Sequence, residues 1–250
     1  MDPRLELLNL KTSLSAIADL VLPRECVVCG CTLLLQEKHI CIGCLADLPE
    51  THLAGYSHNP MADRFNSMIE NDCFEPYAYA AALFYYQDVS LFRNITRSLK
   101  YEGNIPAGRY FARMLGKRLS ASGLYADVDL VVPVPLHWWR RWRRGYNQAE
   151  VIADRLADML GARLEPRLLK RCRRTRSQAT LNVKDKRANV AGAFVLRTRR
   201  FRRLGMQPRH ILLVDDVFTT GATLAACHTA LRTAFPPAVR ISVATLAFVG

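Results

Sequence analysis

Four predominantly apolar runs alternate along the chain with stretches whose apolar positions recur every three or four residues. The runs are "YAYAAALFYY" from Tyr77, "VDLVVPVP" from Val128, "HILLVDD" from His210 and "RISVATLAFV" from Arg240. Each is strand-sized. Between them, "DVSLFRNITRSLKY", "AGRYFARMLGKRLSA", "NQAEVIADRLADML" and "GATLAACHTALRTA" carry helical spacing, with Asn147 placed to cap the third. Strands that are apolar on both faces, separated by amphipathic helices, predict an α/β fold: a parallel sheet flanked by helices. In such sheets ligands bind beyond the carboxyl ends of the strands, so the loops after "VVPVP" and "LLVDD" should face one site.

The rest of the chain divides by pattern. Leu7, Leu10, Leu14, Ile17 and Val21 predict an N-terminal helix that Pro23 ends, giving a first unit over 1–25. A cysteine-rich module and a polar linker containing Pro49, Gly55 and Pro60 follow over 26–70, and the sheet domain over 71–250. The longest apolar stretch, Ala78–Tyr86, is far short of the ~20 residues that span a bilayer. Acids at Asp2, Glu6 and Asp19 do not suit a signal peptide, so a soluble, cytoplasmic protein without membrane insertion is expected.

Charge sharpens this outline. The formal net charge is +13, and residues 140–209 hold 21 Lys and Arg against 5 Asp and Glu. An excess confined to one segment points to phosphate-bearing partners, a nucleotide or a nucleic-acid backbone; the bland alternative is a solvated basic surface. Trp138, Trp142 and Trp139 interleave with its arginines, either as packing groups or as a stacking platform for bases.

Eight cysteines in a chain read as cytoplasmic argue against a disulfide framework. Cys26 and Cys29 form one C-x-x-C unit, and Cys41 and Cys44 a second after eleven residues, a spacing that suits a closed tetrahedral thiolate site for structural zinc. An iron-sulfur cluster uses the same ligands. Cys31 and His39 lie within the module as competitors. Cys73 and Cys227 read as small buried residues, and Cys172, in "KRCRRTR", as a bystander.

The site residues follow from "HILLVDDVFTTGATL". A strand ending at Val214 leaves Asp215 and Asp216 on the lip of the sheet, and "TTGAT" turns into the next helix. Amides of Thr220, Gly221, Ala222 and Thr223, with the hydroxyls of Thr219, Thr220 and Thr223, suit a phosphate at that helix end. Carboxylates repel a phosphate. Their use beside one is to hold sugar hydroxyls, or a magnesium ion that bridges those hydroxyls to a pyrophosphate.

The pattern from Ile211 to Thr223, Val217 and Phe218 included, resembles the ribose-phosphate signature of type I phosphoribosyltransferases. With "VPVPLHWWRRWRRGYNQAEVIA", "SLKYEGN" and "RTRSQATLNVKDKRANVAGAFVL", the chain is similar to the ComF, or GntX-type, family over nearly its whole length. That resemblance implies a zinc ribbon joined to a phosphoribosyltransferase-like domain. It assigns Val134–Arg144, with Pro135 and Leu136, to pyrophosphate binding, and 173–189 to a mobile loop that closes the site. Arg143, Arg144 and Lys100 would screen a pyrophosphate. The function implied is binding of 5-phosphoribosyl 1-pyrophosphate with magnesium, with or without phosphoribosyl transfer. The alternative is a non-catalytic nucleotide- or single-stranded-DNA-binding protein that works with competence proteins in DNA uptake. Nothing in the sequence names an acceptor.

Overall fold

The structure, a computed structural model, describes residues 23–69, 75–172 and 192–250. The expected N-terminal helix, Cys73 and the 173–189 loop lie outside the described residues. The core is a five-stranded sheet of β1 (Ala80–Tyr85), β2 (Leu130–Pro133), β3 (Arg163–Leu164), β6 (His210–Phe218) and β7 (Arg240–Phe248). Their order is β1-β7-β6-β2-β3 and every pairing is parallel. A separate hairpin joins β4 (Leu169–Arg171) to β5 (Phe194–Leu196).

The apolar runs are buried on both faces, as a parallel sheet requires. On one face Ile211, Leu213 and Ile241 pack with Leu224, Cys227 and Leu231 of α8 (Ala222–Arg232). On the other, Leu212, Val214 and Ala244 pack with Phe111 and Leu115 of α4 (Ile105–Ser122) and with Ile152 and Leu156 of α6 (Gln148–Leu160). Asn147 caps α6 as expected: its side chain accepts from the Ala149 N–H and donates to the Val134 carbonyl at 3.0 Å. That second bond ties the loop after β2 to the helix.

The sequence placed the end of β6 at Val214. Instead the strand continues to Phe218, because β7 goes on pairing with it through Asp215↔Thr245, Val217↔Ala247 and Phe218↔Phe248. β2 does stop there, with Pro133 opposite Val214. Beyond that register β6 has an open edge on the β2 side, and the two aspartates sit on it.

The stretch expected to link the ribbon to the sheet covers the sheet. α1 (Ile42–Ala46) closes the cysteine module, and α2 (Pro60–Asn66) buries Met61, Ala62 and Phe65 in the main core. Asn59 caps α2 through the Met61 and Ala62 amides, and Pro60 starts it. From α2, Arg64 donates to the Val249 carbonyl at 2.8 Å and reaches the Thr219 carbonyl at 3.4 Å. The predicted linker thus braces the predicted phosphate loop.

At the opposite end of the strands, His210 is fully buried between Asp127 (2.7 Å) and Ser242 (2.7 Å), and Ser242 accepts from the Tyr79 N–H at 3.0 Å. Burial lowers the His210 pKa. The trio has the order of a hydrolytic triad, but Ser242 has no accessible surface and lies at the amino ends of the strands. It is an internal pin.

Candidate functional site

One cleft of about 260 Å3 opens at the carboxyl ends of β2 and β6. The predicted residues Lys100, Pro135, Leu136, Arg144, Asp215, Asp216, Val217, Phe218, Thr219, Gly221, Ala222 and Thr223 line it. Two others do not. Arg143 turns instead toward the Trp139 ring, 5.8 Å from its centroid, and Thr220 places its hydroxyl 3.5 Å from the Ala222 amide. Arg140, within the loop assigned to pyrophosphate binding, lines the cleft too, and sequence reasoning missed Tyr101, Asn147, Gln148 and Arg171 in the lining.

Lys100 enters the cleft from the π-helical turn Ser98–Glu102, which follows α3 (Arg93–Arg97) and ends at Gly103. A widened turn of this kind often marks a functional site, because it changes the direction of a side chain without ending the helix. Tyr146 fixes it by donating its hydroxyl to the Leu99 carbonyl. Lys100 Nζ lies 3.0 Å from Asp216. Burial opposes the lysine charge, yet the charge and hydrogen bond of Asp216 hold its pKa above the ordinary value.

Asp215 is different. Burial first, and then the charge of Asp216, push its pKa up to about 7, against the pull of Lys100 and Arg171. Its Oδ1 accepts from the Asp216 N–H at 2.9 Å. Side by side, one carboxylate is paired with a lysine and the other is pushed toward its protonated form. Both offer hard oxygens, which suit sugar hydroxyls and also suit magnesium.

The turn after β6 is shaped by Gly221, at φ +80°. A Cβ there would lie 2.6 Å from the end of the Phe218 ring and 3.0 Å from Met68 Sδ. Only glycine lets the chain pass this point into α8. Gly221 is the N-cap of α8 and brings no capping side chain, and the first turn of the helix borders the cleft through Ala222, Thr223 and Leu224. The start of α6 opens on the same space through Asn147 and Gln148. Two helix amino ends, with Lys100, Arg140, Arg144 and Arg171, give the cleft a positive lining beside two carboxylates.

The basic helix α5 (Trp138–Arg144) borders this cleft through Arg140 and Arg144. Trp138 is 70% exposed and Trp142 80%, which rules out core packing for both. Trp139 is half-buried.

In the cysteine module, the sulfurs of Cys26, Cys29, Cys31 and Cys41 lie within 4.8 Å of one another. The chain turns back at Gly30, with Cys26 N–H to Cys31 carbonyl and Gly30 N–H to Cys26 carbonyl both 2.8 Å, and this return brings Cys31 in. Cys44, expected as the fourth ligand, adjoins the cluster: its backbone N–H donates to Cys41 Sγ at 3.4 Å, and its thiol is pushed up in pKa by burial and by the neighbouring thiols of Cys41, Cys29 and Cys26. Tetrahedral zinc with ~2.3 Å bonds spaces its sulfurs about 3.8 Å apart, and Cys29 and Cys41 already stand 3.8 Å apart. The cluster could hold a metal ion such as zinc. Hydrogen bonds from neighbouring groups, led by the Cys31 backbone, draw the Cys29 thiol down to about 6, which favours the thiolate a metal needs. Purified protein should carry about one zinc per chain by elemental analysis, and Cys29→Ser should carry none. Comparing Cys31→Ser with Cys44→Ser then identifies the fourth ligand. The module shares Cys26, Val28, Leu33 and Ile40 with the core beneath α4, so metal loss should also lower Tm.

Among the described residues, no helix is long and apolar enough to cross a membrane. No family model matches the chain. The chain is 27% identical over 215 residues to competence protein F of Haemophilus influenzae, an alignment covering 83% of this chain and 90% of that protein. It is 38% identical over 97 residues to the DNA utilization protein YhgH of Salmonella typhi and 37% to that of Escherichia coli K12. Those two alignments cover 39% of this chain and 40% of the relative.

Proposed function

Taking the chain as a ComF-type protein, we propose that its cleft binds a ribose phosphate of the 5-phosphoribosyl 1-pyrophosphate class with magnesium, in the service of DNA uptake and use. The observation that carries this reading is the open edge of β6. There two aspartates stand between a glycine-shaped turn at the start of α8 and a cluster of four cations. A simple anion site has no use for the acids, and a simple cation site has no use for the amides.

In this reading the α8 amides and the hydroxyls of Thr219 and Thr223 hold the 5-phosphate. Asp215 and Asp216 accept hydrogen bonds from the ribose hydroxyls. Lys100, Arg140 and Arg144, with the start of α6, receive the diphosphate. The two carboxylates, with the ligand's own oxygens, would hold magnesium, which would offset the diphosphate charge. If transfer occurs, the bond from C1 to the diphosphate breaks, a bond from C1 to the acceptor forms, and the acceptor loses a proton. Positive groups at the diphosphate would favour that departure.

Calorimetry with phosphoribosyl pyrophosphate and magnesium tests the reading. Wild-type protein should bind, and the double variant Asp215→Asn with Asp216→Asn should lose at least 100-fold in affinity, about 3 kcal/mol for two charged hydrogen-bond acceptors. Absence of binding by the wild type would remove the proposal.

The exposure of Trp138 and Trp142 favours a second activity of the same protein, contact with single-stranded DNA. Exposed indoles stack on bases, and Arg141 and Arg143 are exposed beside them. A labelled oligothymidine titrated at two salt concentrations should show weaker binding by Trp138→Ala with Trp142→Ala and an unchanged salt slope; unaltered affinity would count against it.

A further inference from the structure

Away from the cleft, the cysteine module and α4 enclose a groove of about 560 Å3. Its apolar wall stands in water. Leu34 is 67% exposed and Ile42 74%, Leu45 is exposed beside them, and none of the five residues of α1 is buried. Across the groove α4 presents Tyr110, Arg113, Met114 and Lys117, which share one face at helical spacing. The opposite face of α4 is fully used, with Phe111 and Leu115 in the core beneath it. A contiguous apolar groove with a basic rim marks a surface made to be covered.

The chain carries a cover that starts at this spot. Residues 1–22 lie outside the described residues, and the described chain begins at the groove wall. There the Arg24 guanidinium donates to the Glu37 carbonyl at 2.6 Å and to the Leu34 carbonyl at 3.2 Å, and the Arg24 carbonyl accepts from the Leu33 N–H at 2.7 Å. Leu34 and Glu37 both line the groove. In the sequence just before, Leu7, Leu10, Leu14, Ile17 and Val21 recur at alternating steps of three and four. As a helix at 1.5 Å per residue they make an apolar seam about 21 Å long, enough to cover the roughly two turns of α4 exposed over 110–117.

We propose that residues 1–22 form an amphipathic helix that lies in this groove, its seam against Met114 and Ile42, and so ties the cysteine module to the sheet domain. A segment on a short tether meets its groove at an effective concentration of the order of millimolar, and attachment at Arg24 leaves no span to cross. A separate partner or a second copy must give up translational and rotational freedom to reach the same surface.

The test uses the full chain with the photoreactive residue benzoylphenylalanine in place of Leu14. Irradiation should join residue 14 to peptides holding α1 or residues 110–117 of the same chain, in a yield unchanged by tenfold dilution. Met114→Glu puts a charge on the outer face of α4 and should cut that yield about fivefold or more. Leu10→Asp should lower Tm by about 3 °C in the wild type and by less than about 1 °C beside Met114→Glu, where the contact is already lost. Cross-links confined to other surfaces, or none at all, would overturn the proposal and leave the groove to a separate partner. Cross-links between two chains would also overturn it, making the groove an interface between copies. So would equal losses of Tm from Leu10→Asp in both backgrounds. The cross-link is read in a chain whose groove is unaltered, so it decides the matter even if Met114→Glu does not fold.

Discussion

Replacing Asp215 with asparagine is expected to stabilise the protein at pH 8 while removing the ribose-phosphate binding proposed for the cleft. The folded protein raises the Asp215 pKa from 3.8 to about 7. Between those values it holds a proton that the unfolded chain has released. Stability from this group is therefore fully present below about pH 4 and falls as pH rises through 7, where the buried carboxylate ionises. A shift of this size sets a ceiling of ~4 kcal/mol; with the side chain only partly sheltered, about 2 kcal/mol is the reasonable expectation. Asparagine keeps the acceptor for the Asp216 N–H and leaves the pairing of Asp216 with Lys100 in place. Urea unfolding should then show Asp215→Asn more stable than wild type at pH 8, with the gain disappearing by about pH 4. A variant equally stable or less stable at pH 8 would mean that Asp215 is not penalised by its setting. Gain of stability with loss of binding is the mark of a group kept for a ligand.

How much of this was legible beforehand can be judged residue by residue. The strands at Ala80, Leu130, His210 and Arg240 were plain, because a parallel sheet buried on both faces demands unbroken apolar runs. The extension of β6 past Val214 was not. Two acids break the apolar pattern, and only the pairing with Thr245, Ala247 and Phe248 carries the strand through them. Asn59-Pro60, a cap followed by the residue suited to a first turn, was a readable helix start inside the supposed linker. Its role in bracing Thr219 depends on Arg64 reaching across 155 residues of sequence. Arg140 and Arg171 carry no motif that sets them apart from the other arginines of the basic segment. Which of those cations face the cleft is decided by how α5 and the β4–β5 hairpin pack: within the assigned loop Arg140 and Arg144 line the cleft, while Arg143, singled out beside Arg144, does not. Cys31 was set aside on spacing, but the turn at Gly30 returns it to the cluster.

Gly221→Ala should be the most damaging single-methyl substitution in the cleft. Two costs add there. A residue with a Cβ at φ +80° costs roughly 1 kcal/mol. The new methyl also meets Phe218 Cζ at 2.6 Å and Met68 Sδ at 3.0 Å, so a buried ring that supports the end of β6 must move, an overpacking cost of about 1–3 kcal/mol. Unfolding free energy should fall by about 2–4 kcal/mol, and phosphate binding should weaken at least tenfold, because the displaced ring belongs to the cleft wall. Gly123→Ala supplies the comparison. Gly123 has nearly the same φ, +74°, but an added Cβ would meet nothing within 4 Å, so its variant reports the backbone cost alone. Combining Gly221→Ala with Phe218→Leu should relieve the contact with the ring and recover part of the lost stability, leaving a deficit nearer that of Gly123→Ala. If Gly221→Ala and Gly123→Ala are equally stable, the crowding at Phe218 does not exist and the phosphate turn is not held by this packing. If the double variant is stable but still binds ribose 5-phosphate poorly, the ring is needed for the ligand itself, and the apolar wall of the cleft becomes part of its recognition.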